Sequence, residues 1–364
     1  MHAIRVAVVG AGNGAHALAG HLSVQGLPVR LYNRFEEEIV ALREQGGVAV
    51  EGVIAGFGPL QLVTTDPAPV ISWADLLMVV VPAFAHRSVA EACAPHLRDD
   101  QVLILNPGRT GGALEFANVL REKQVTARVT VAEAQSLLYA CRLIGPARAR
   151  ITGIKREIRV AAFPAARTDT VIEAVRPLLP QFVPAGNVLE TSFDNVGAVF
   201  HPGTMVLNAN RIESGEDFGF YRDMSSSVTR LLEAIDRERL AVARAFGVEL
   251  ESASEWLRRS YEGVAGETLL ERIRSNRAYH DIKAPKRLNA RQILEDVPTG
   301  LVPLVSLGAL AGVQTPACRA VTDVCCLLLD RDFWAEGRNA RNLGLEEMSV
   351  DEIAAYVETG VRNP

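Results

Sequence analysis

Residues 4–15 read IRVAVVGAGNGA, and the reading of the fold starts from them. Ile4–Val9 is short, apolar and β-branched, the composition of a strand buried on both faces. Gly10-Ala11-Gly12-Asn13-Gly14-Ala15 then leads into an amphipathic helical pattern over Ala15–Gln25. A strand, a G-x-G-x-x-A turn and a helix in immediate succession make a dinucleotide-binding fingerprint. Gly10 permits the tight turn, Gly12 lets the backbone approach a pyrophosphate, and Ala15 keeps helix and strand close. Asn13 and Gly14 open the helix, whose N-terminal N–H groups attract the anion.

Working outward, Val29–Tyr32, Leu76–Val81, Val102–Leu105 and Val129–Ala132 read as further buried strands. Helical patterns at Glu36–Glu44, Ser88–His96 and Ala113–Lys123 alternate with them, which is the signature of a parallel sheet with crossover helices. Gly46–Pro59, with five glycines, interrupts the alternation and reads as a hairpin or turn-rich insertion. Ala149–Phe163 is again β-like, and Thr168–Leu179 helical. Beyond Pro180, Pro184 and Gly186 the strand signal fades, and Val228–Phe246, Ala253–Tyr261, Thr268–Ile273, Ala317–Leu329 and Val350–Val357 carry helical spacing. The fold class is α/β: a Rossmann doubly wound sheet over residues 1–187, followed by a mostly α-helical domain over 188–364.

The second strand of such a domain usually ends in Asp or Glu, which binds the ribose hydroxyls of NAD. Here it ends Tyr32-Asn33-Arg34. Asn33 removes the carboxylate that would repel a 2′-phosphate, and Arg34 offers a guanidinium to it. NADP(H) is therefore expected in preference to NAD(H), with NAD(H) still allowed. Pro82 and Asn106 follow strands at their carboxyl ends, where ligands of open α/β sheets bind, so both are expected to contact the cofactor.

Composition narrows the remaining choices. The 364 residues are 48% hydrophobic and 22% charged, a globular profile, and the net charge of -5 argues against a nucleic-acid partner. Cys93, Cys141, Cys318, Cys325 and Cys326 lack metal-ligand spacing and read as reduced thiols, with no metal site. The most apolar stretches, Leu76–Val81 and Leu301–Val313, are short or broken by Pro and Gly, so no membrane partner is expected. The chain passes directly from its first residues into a strand, without leader features, and a cytoplasmic location is expected. A homodimer is compatible with the sequence, which does not fix the oligomeric state.

A nicotinamide enzyme needs a group that moves a proton while the cofactor carries hydride. Only His201 and His280 lie in the second half. His201 precedes Pro202, which biases it away from helical geometry, whereas His280 lies in a polar run. Arg291 and Asp296 flank apolar residues before a Pro/Gly turn, an arrangement that would present a guanidinium to a substrate carboxylate and a carboxylate to a histidine; a plain surface pair fits the spacing as well. Glu133 and Gln135, just after a strand, would either reach an amino-acid substrate or cap the strand end. Tyr139, Met205 and the Phe218–Tyr221 cluster read as pocket or packing residues.

Several longer stretches resemble the opine dehydrogenases of the octopine/nopaline dehydrogenase type, especially the bacterial N-(1-carboxyethyl)-norvaline dehydrogenase branch. They are GAGNGAHALAGHL from Gly10, VVVPAFAH from Val79, LNPGRTGGALEF from Leu105, AEAQSLLYACR from Ala132, NVGAVFHPGTMVLNA from Asn195 and RQILEDVPTGLVPLVSLGALAGVQTP from Arg291. The resemblance runs nearly end to end. It implies an active site in the cleft between a Rossmann and a helical domain, and the reductive condensation of a 2-oxo acid with the amino group of an amino acid. It further implies that His201 and Asp296 form the catalytic pair and that Arg291 binds a substrate carboxylate. Asn33 stands where NAD-using relatives carry Asp, so NAD dependence does not transfer. Two other readings share the glycine turn: an NADPH-dependent reductase of the ketopantoate or hydroxy-acid kind, which looks to a lysine for its proton, and a non-catalytic NADP-binding sensor.

Overall fold

The strand that follows Arg5 lies inside an eight-stranded sheet, third from one edge. The computed structural model describes residues 4–362. Its chain divides into two units, Met1–Ser192 with Ala355–Pro364, and Phe193–Ala354. In the first unit the strands are β1 (Val6–Val9), β2 (Val29–Tyr32), β3 (Gly47–Gly52), β4 (Gly56–Pro59), β5 (Leu62–Thr64), β6 (Leu76–Val79), β7 (Val102–Leu105), β8 (Thr130–Ala134), β9 (Tyr139–Gly145), β10 (Arg148–Ile154), β11 (Ile158–Phe163) and β12 (Phe182–Pro184). The large sheet runs β12-β11-β8-β7-β6-β1-β2-β5. Its pairs are parallel except β8 with β11, and β1 is in register with both neighbours, Val6 opposite Val29 and opposite Leu76. Every residue of β1, β6 and β7 is buried, as their unbroken apolar runs require.

Helix α1 (Asn13–Val24) is buried over nearly its whole length, from Gly14 to Ser23. One face lies on the large sheet, and a second sheet, β4-β3-β10-β9, covers another. The glycine-rich stretch 46–59 is the β3–β4 hairpin of this second sheet. The glycines serve close approach: a Cβ on Gly20 would lie 2.4 Å from Val50 Cγ1, and one on Gly58 would lie 2.7 Å from the Gly20 carbonyl oxygen.

Four expectations change. The β-like run 149–163 is two strands in different sheets, interrupted at Lys155-Arg156-Glu157, where three charged residues cannot continue a buried ladder. The helix expected over 36–44 is a 3-10 turn at Glu36–Glu38 followed by an α-helix at Val40–Gln45. The last segment of chain, expected with the helical half, belongs with the first unit. Tyr356 meets Phe163 edge-on at 4.8 Å, and Asn187 Nδ2 donates to Glu358 at 2.7 Å. The division between units falls after Ser192 rather than after residue 187.

The second unit is built of helices. Among them Val196–Leu207, Ser226–Ala245 and Pro316–Leu329 pack on one another, and Arg239, fully buried, ties them to the preceding chain. Its guanidinium pairs with Asp236 and donates to the carbonyls of Phe193 and Glu251, while Asp236 also accepts from the Ala253 N–H. A buried charge satisfied this completely is tolerated; one left without its partner is not. Arg291–Leu294 continues through a π turn at Val297–Leu301 into the helix Val302–Leu310. The expected breaks at Pro298, Gly300 and Pro303 are absorbed by this turn. By length and composition the run Arg291–Leu310 would cross a membrane, but 78% of its apolar window is buried inside the protein, as in a core helix.

Candidate active site

The first glycine turn shapes one wall of a pocket of about 530 Å³, lined by Gly10, Gly12, Tyr32, Asn33, Arg34, Glu38, Pro82 and neighbouring apolar residues. Gly10 has φ +119°, and a Cβ there would stand 2.4 Å from the Val80 carbonyl oxygen. Gly12 is the opposite case: nothing lies within 4 Å of the position a Cβ would take, so the backbone presents open space beside the first turn of α1. A backbone that can be approached this closely, with helical N–H groups behind it, suits a pyrophosphate. Burial pushes the His16 imidazole below its ordinary value, against the Gly12 and Ala11 carbonyls, so that a neutral ring meets this end at pH 7.

Of the residues expected around the cofactor, Gly10, Gly12, Asn33, Arg34 and Pro82 line the pocket. Gly14 and Ala15 are packing residues: a Cβ on Gly14 would meet Leu137 and Val80 at 3.0 Å, and Ala15 is fully buried. Asn13 turns its side-chain oxygen to the Leu143 N–H at 2.8 Å. Asn106 is buried at the end of β7, donating from its side chain to the Ile104 carbonyl at 2.9 Å.

Glu38 was not foreseen at this site. The Asn33 amide donates to its carboxylate at 2.9 Å and to the Phe35 carbonyl at 3.2 Å. The strand end thus lacks a carboxylate of its own, yet one arrives from the 3-10 turn five residues later. Arg34 stands beside it, exposed, with its guanidinium 4.6 Å above the Phe35 ring.

Glu133 does not extend toward solvent. It is 1% exposed, and its carboxylate accepts from the Ala113 N–H at 2.7 Å, Thr191 Oγ1 at 2.7 Å and Ser192 Oγ at 2.8 Å. An acidic group at the start of helix α2 (Gly112–Glu122) complements the free N–H groups there.

In the second unit, helix α3 (Val196–Leu207) carries His201 and includes Pro202 within it, so His201 is helical rather than displaced from the helix. His201 Nδ1 is 2.7 Å from Asp296 Oδ2, and Nε2 is 2.8 Å from the Tyr221 hydroxyl. The Asp296 side chain is 1% exposed and that of His201 22%. Asp296 stands immediately before the π turn, whose residues Val297–Leu301 are all buried. A Cβ on Gly300 would lie 2.6 Å from that of Ala198, so the turn packs directly on α3 and places Asp296 under the imidazole. Tyr221 stacks on Tyr279 with ring centroids 4.0 Å apart, and burial pushes the Tyr279 hydroxyl well above its usual range. His280, the other histidine of this unit, bonds the Arg274 carbonyl instead.

Arg291 is not joined to this couple. Its side chain is 64% exposed and its Nε donates to the buried Glu295 carboxylate, one helical turn on. Asp296 stands five positions on, with four residues between, a helical offset that turns the two side chains to different faces. Three lysines that a reductase of the ketopantoate kind would look to are bonded to other groups: Lys155 donates to Ser136, Lys283 pairs with Asp217, and Lys286 donates to the Gly215 and Glu216 carbonyls.

Comparison with known proteins agrees with both units. The NAD/NADP octopine/nopaline dehydrogenase alpha-helical domain model matches residues 184–329, and the NAD-dependent glycerol-3-phosphate dehydrogenase N-terminus model matches residues 5–150. The opine dehydrogenase of Arthrobacter sp. (strain 1C) is 40% identical over 354 residues, covering 97% of this chain and 98% of that protein. Protein ocs of Agrobacterium tumefaciens (strain Ach5) is 28% identical, covering 96% and 98%. The structure of octopine dehydrogenase with NADH and L-arginine shares the fold, with a TM-score of 0.82 at 23% identity over 99% of each chain.

The protein is an NAD(P)-dependent oxidoreductase. It belongs to the octopine/nopaline dehydrogenase family, the opine dehydrogenases.

Proposed function

We propose that this chain catalyses the reversible condensation of a 2-oxo acid with the amino group of an amino acid, reduced by a pyridine nucleotide to a secondary-amine dicarboxylate. The observation that carries the reading is the Asp296–His201 couple, 2.7 Å apart with the carboxylate buried. A buried carboxylate on Nδ1 fixes the tautomer and stabilises the imidazolium, which an acid–base histidine requires. Loss of water from the oxo acid and amine leaves an imine, and the nicotinamide, when bound, supplies the hydride that reduces its carbon. His201 takes the proton that the ammonium must lose before it condenses, and in the reverse direction returns it. Arg291, steadied by Glu295, offers its remaining N–H groups to the oxo acid carboxylate.

NADP(H) is the preferred cofactor in this reading, because Arg34 can pair with a 2′-phosphate and Asn33 adds no charge. NAD(H) is the second reading, favoured by one observation: the Glu38 carboxylate on the Asn33 amide could accept from ribose hydroxyls instead. Five unpaired cysteines support a cytoplasmic location. A simple carbonyl reductase is less well supported, since the lysines it would use are engaged elsewhere. A nucleotide sensor would have no use for a buried acid–base couple.

The test is the product. After incubation with NADPH, a 2-oxo acid and an amino acid, mass spectrometry should find the sum of the two acids less one oxygen. A reduced hydroxy acid as sole product would refute the reading.

A further inference from the structure

Asp296 and Tyr221 between them occupy both ring nitrogens of His201. An ionised carboxylate only accepts, so the Nδ1 facing Asp296 carries the proton and Nε2 holds the lone pair. The Tyr221 hydroxyl, 2.8 Å from Nε2, therefore donates to it. The one basic position of the imidazole is already engaged by that hydroxyl. Tyr221 is also held in place: it is 7% exposed, stacked on Tyr279 at 4.0 Å and met edge-on by Phe220 at 4.9 Å and Phe200 at 6.4 Å. Swinging the ring away to bare Nε2 would give up these contacts.

We propose that Tyr221 is a catalytic residue, its hydroxyl passing the proton between the substrate and His201. This deepens the reading of His201 as the acid–base group and rests on it. As a substrate N–H or O–H gives its proton to Tyr221 Oη, the proton already on Oη moves to His201 Nε2. One O–H bond forms as the other breaks, the tyrosine stays neutral, and the positive charge settles on the imidazolium beside Asp296. In the opposite direction Nε2 returns its proton to Oη, and Oη gives its own to the substrate. A hydroxyl can do this because it donates one hydrogen bond while accepting another.

The experiment compares the full-length wild type with Tyr221→Phe and His201→Ala. It follows single-turnover oxidation of NADPH with a 2-oxo acid and an amino acid in mixtures of H₂O and D₂O, with nucleotide affinity and thermal midpoint as controls. The wild type should show a curved dependence on deuterium fraction, from two protons in flight. Tyr221→Phe should bind NADPH normally and turn over about 10²-fold more slowly. A linear dependence in the wild type overturns the relay, whatever the variant does. So does a Tyr221→Phe enzyme within about threefold of wild-type turnover, which would leave His201 acting alone. Near-normal turnover of His201→Ala would instead refute the underlying reading.

Discussion

Asp296 Oδ2 and His201 Nδ1 lie 2.7 Å apart although 95 positions separate them in the chain. The π turn at Val297–Leu301 makes this meeting, because it lays Gly300 against Ala198, one helical turn before His201. Asp296→Asn keeps the size of the side chain but removes the charge that stabilises the imidazolium. Turnover should fall by ~10²–10⁴ with nucleotide affinity unchanged. Steady-state kinetics with a fluorescence titration of NADPH check this, and His201→Ala should fall in the same range.

Arg34 and Glu38 line the same pocket and carry opposite charges. Arg34→Ala should lower the preference for NADPH over NADH by about tenfold or more, the worth of one charge-assisted hydrogen bond. Glu38→Gln should shift it the other way, because a neutral amide no longer repels a 2′-phosphate. The ratio of kcat/KM for the two nucleotides measures both.

Gly10 allows no side chain. Its φ of +119° and the 2.4 Å approach of the Val80 carbonyl act together against Gly10→Ala. The substitution should cost about 3 kcal/mol or more in denaturant unfolding, with backbone strain and a steric clash each contributing.

Asp75 bridges Arg5 and Arg98 at the start of β6, and the Arg5 guanidinium chiefly holds its carboxyl well below the usual carboxylate range. Its folded pKa lies below the unfolded value, so the stability it adds is present above pH ~4 and is lost as acid titrates the folded carboxyl. The side chain is 41% exposed, which limits the contribution to about 1 kcal/mol after solvent screening. Asp75→Asn should therefore be less stable than wild type at pH 7, and the difference should close as pH falls below about 4. Urea midpoints measured across that range check it.

The nucleotide half was legible because local chemistry sets it: the apolar strand, the glycines and the helix are contiguous in sequence. The same local reading reached Asn33 and Arg34 but not Glu38, which is brought back by a 3-10 turn that periodicity read as one helix. Glu133 invited a substrate role because it follows a strand, yet its partners, Thr191 and Ser192, lie almost sixty residues away in the chain. Tyr221 sits in an irregular segment where only tertiary packing on Tyr279 and α3 gives it a direction. In the helical half, the spacing of Arg291 and Asp296 left open whether they act together. The helix turns them apart, and Glu295, which no motif singled out, holds the arginine.

The most direct test is whether nucleotide oxidation depends on both acids. Purified protein is given NADPH and a panel of 2-oxo acids, with and without amino acids, and loss of the reduced nicotinamide absorbance is followed. Oxidation only when an oxo acid and an amino acid are both present is the expected result. Equal oxidation with the oxo acid alone would contradict the account.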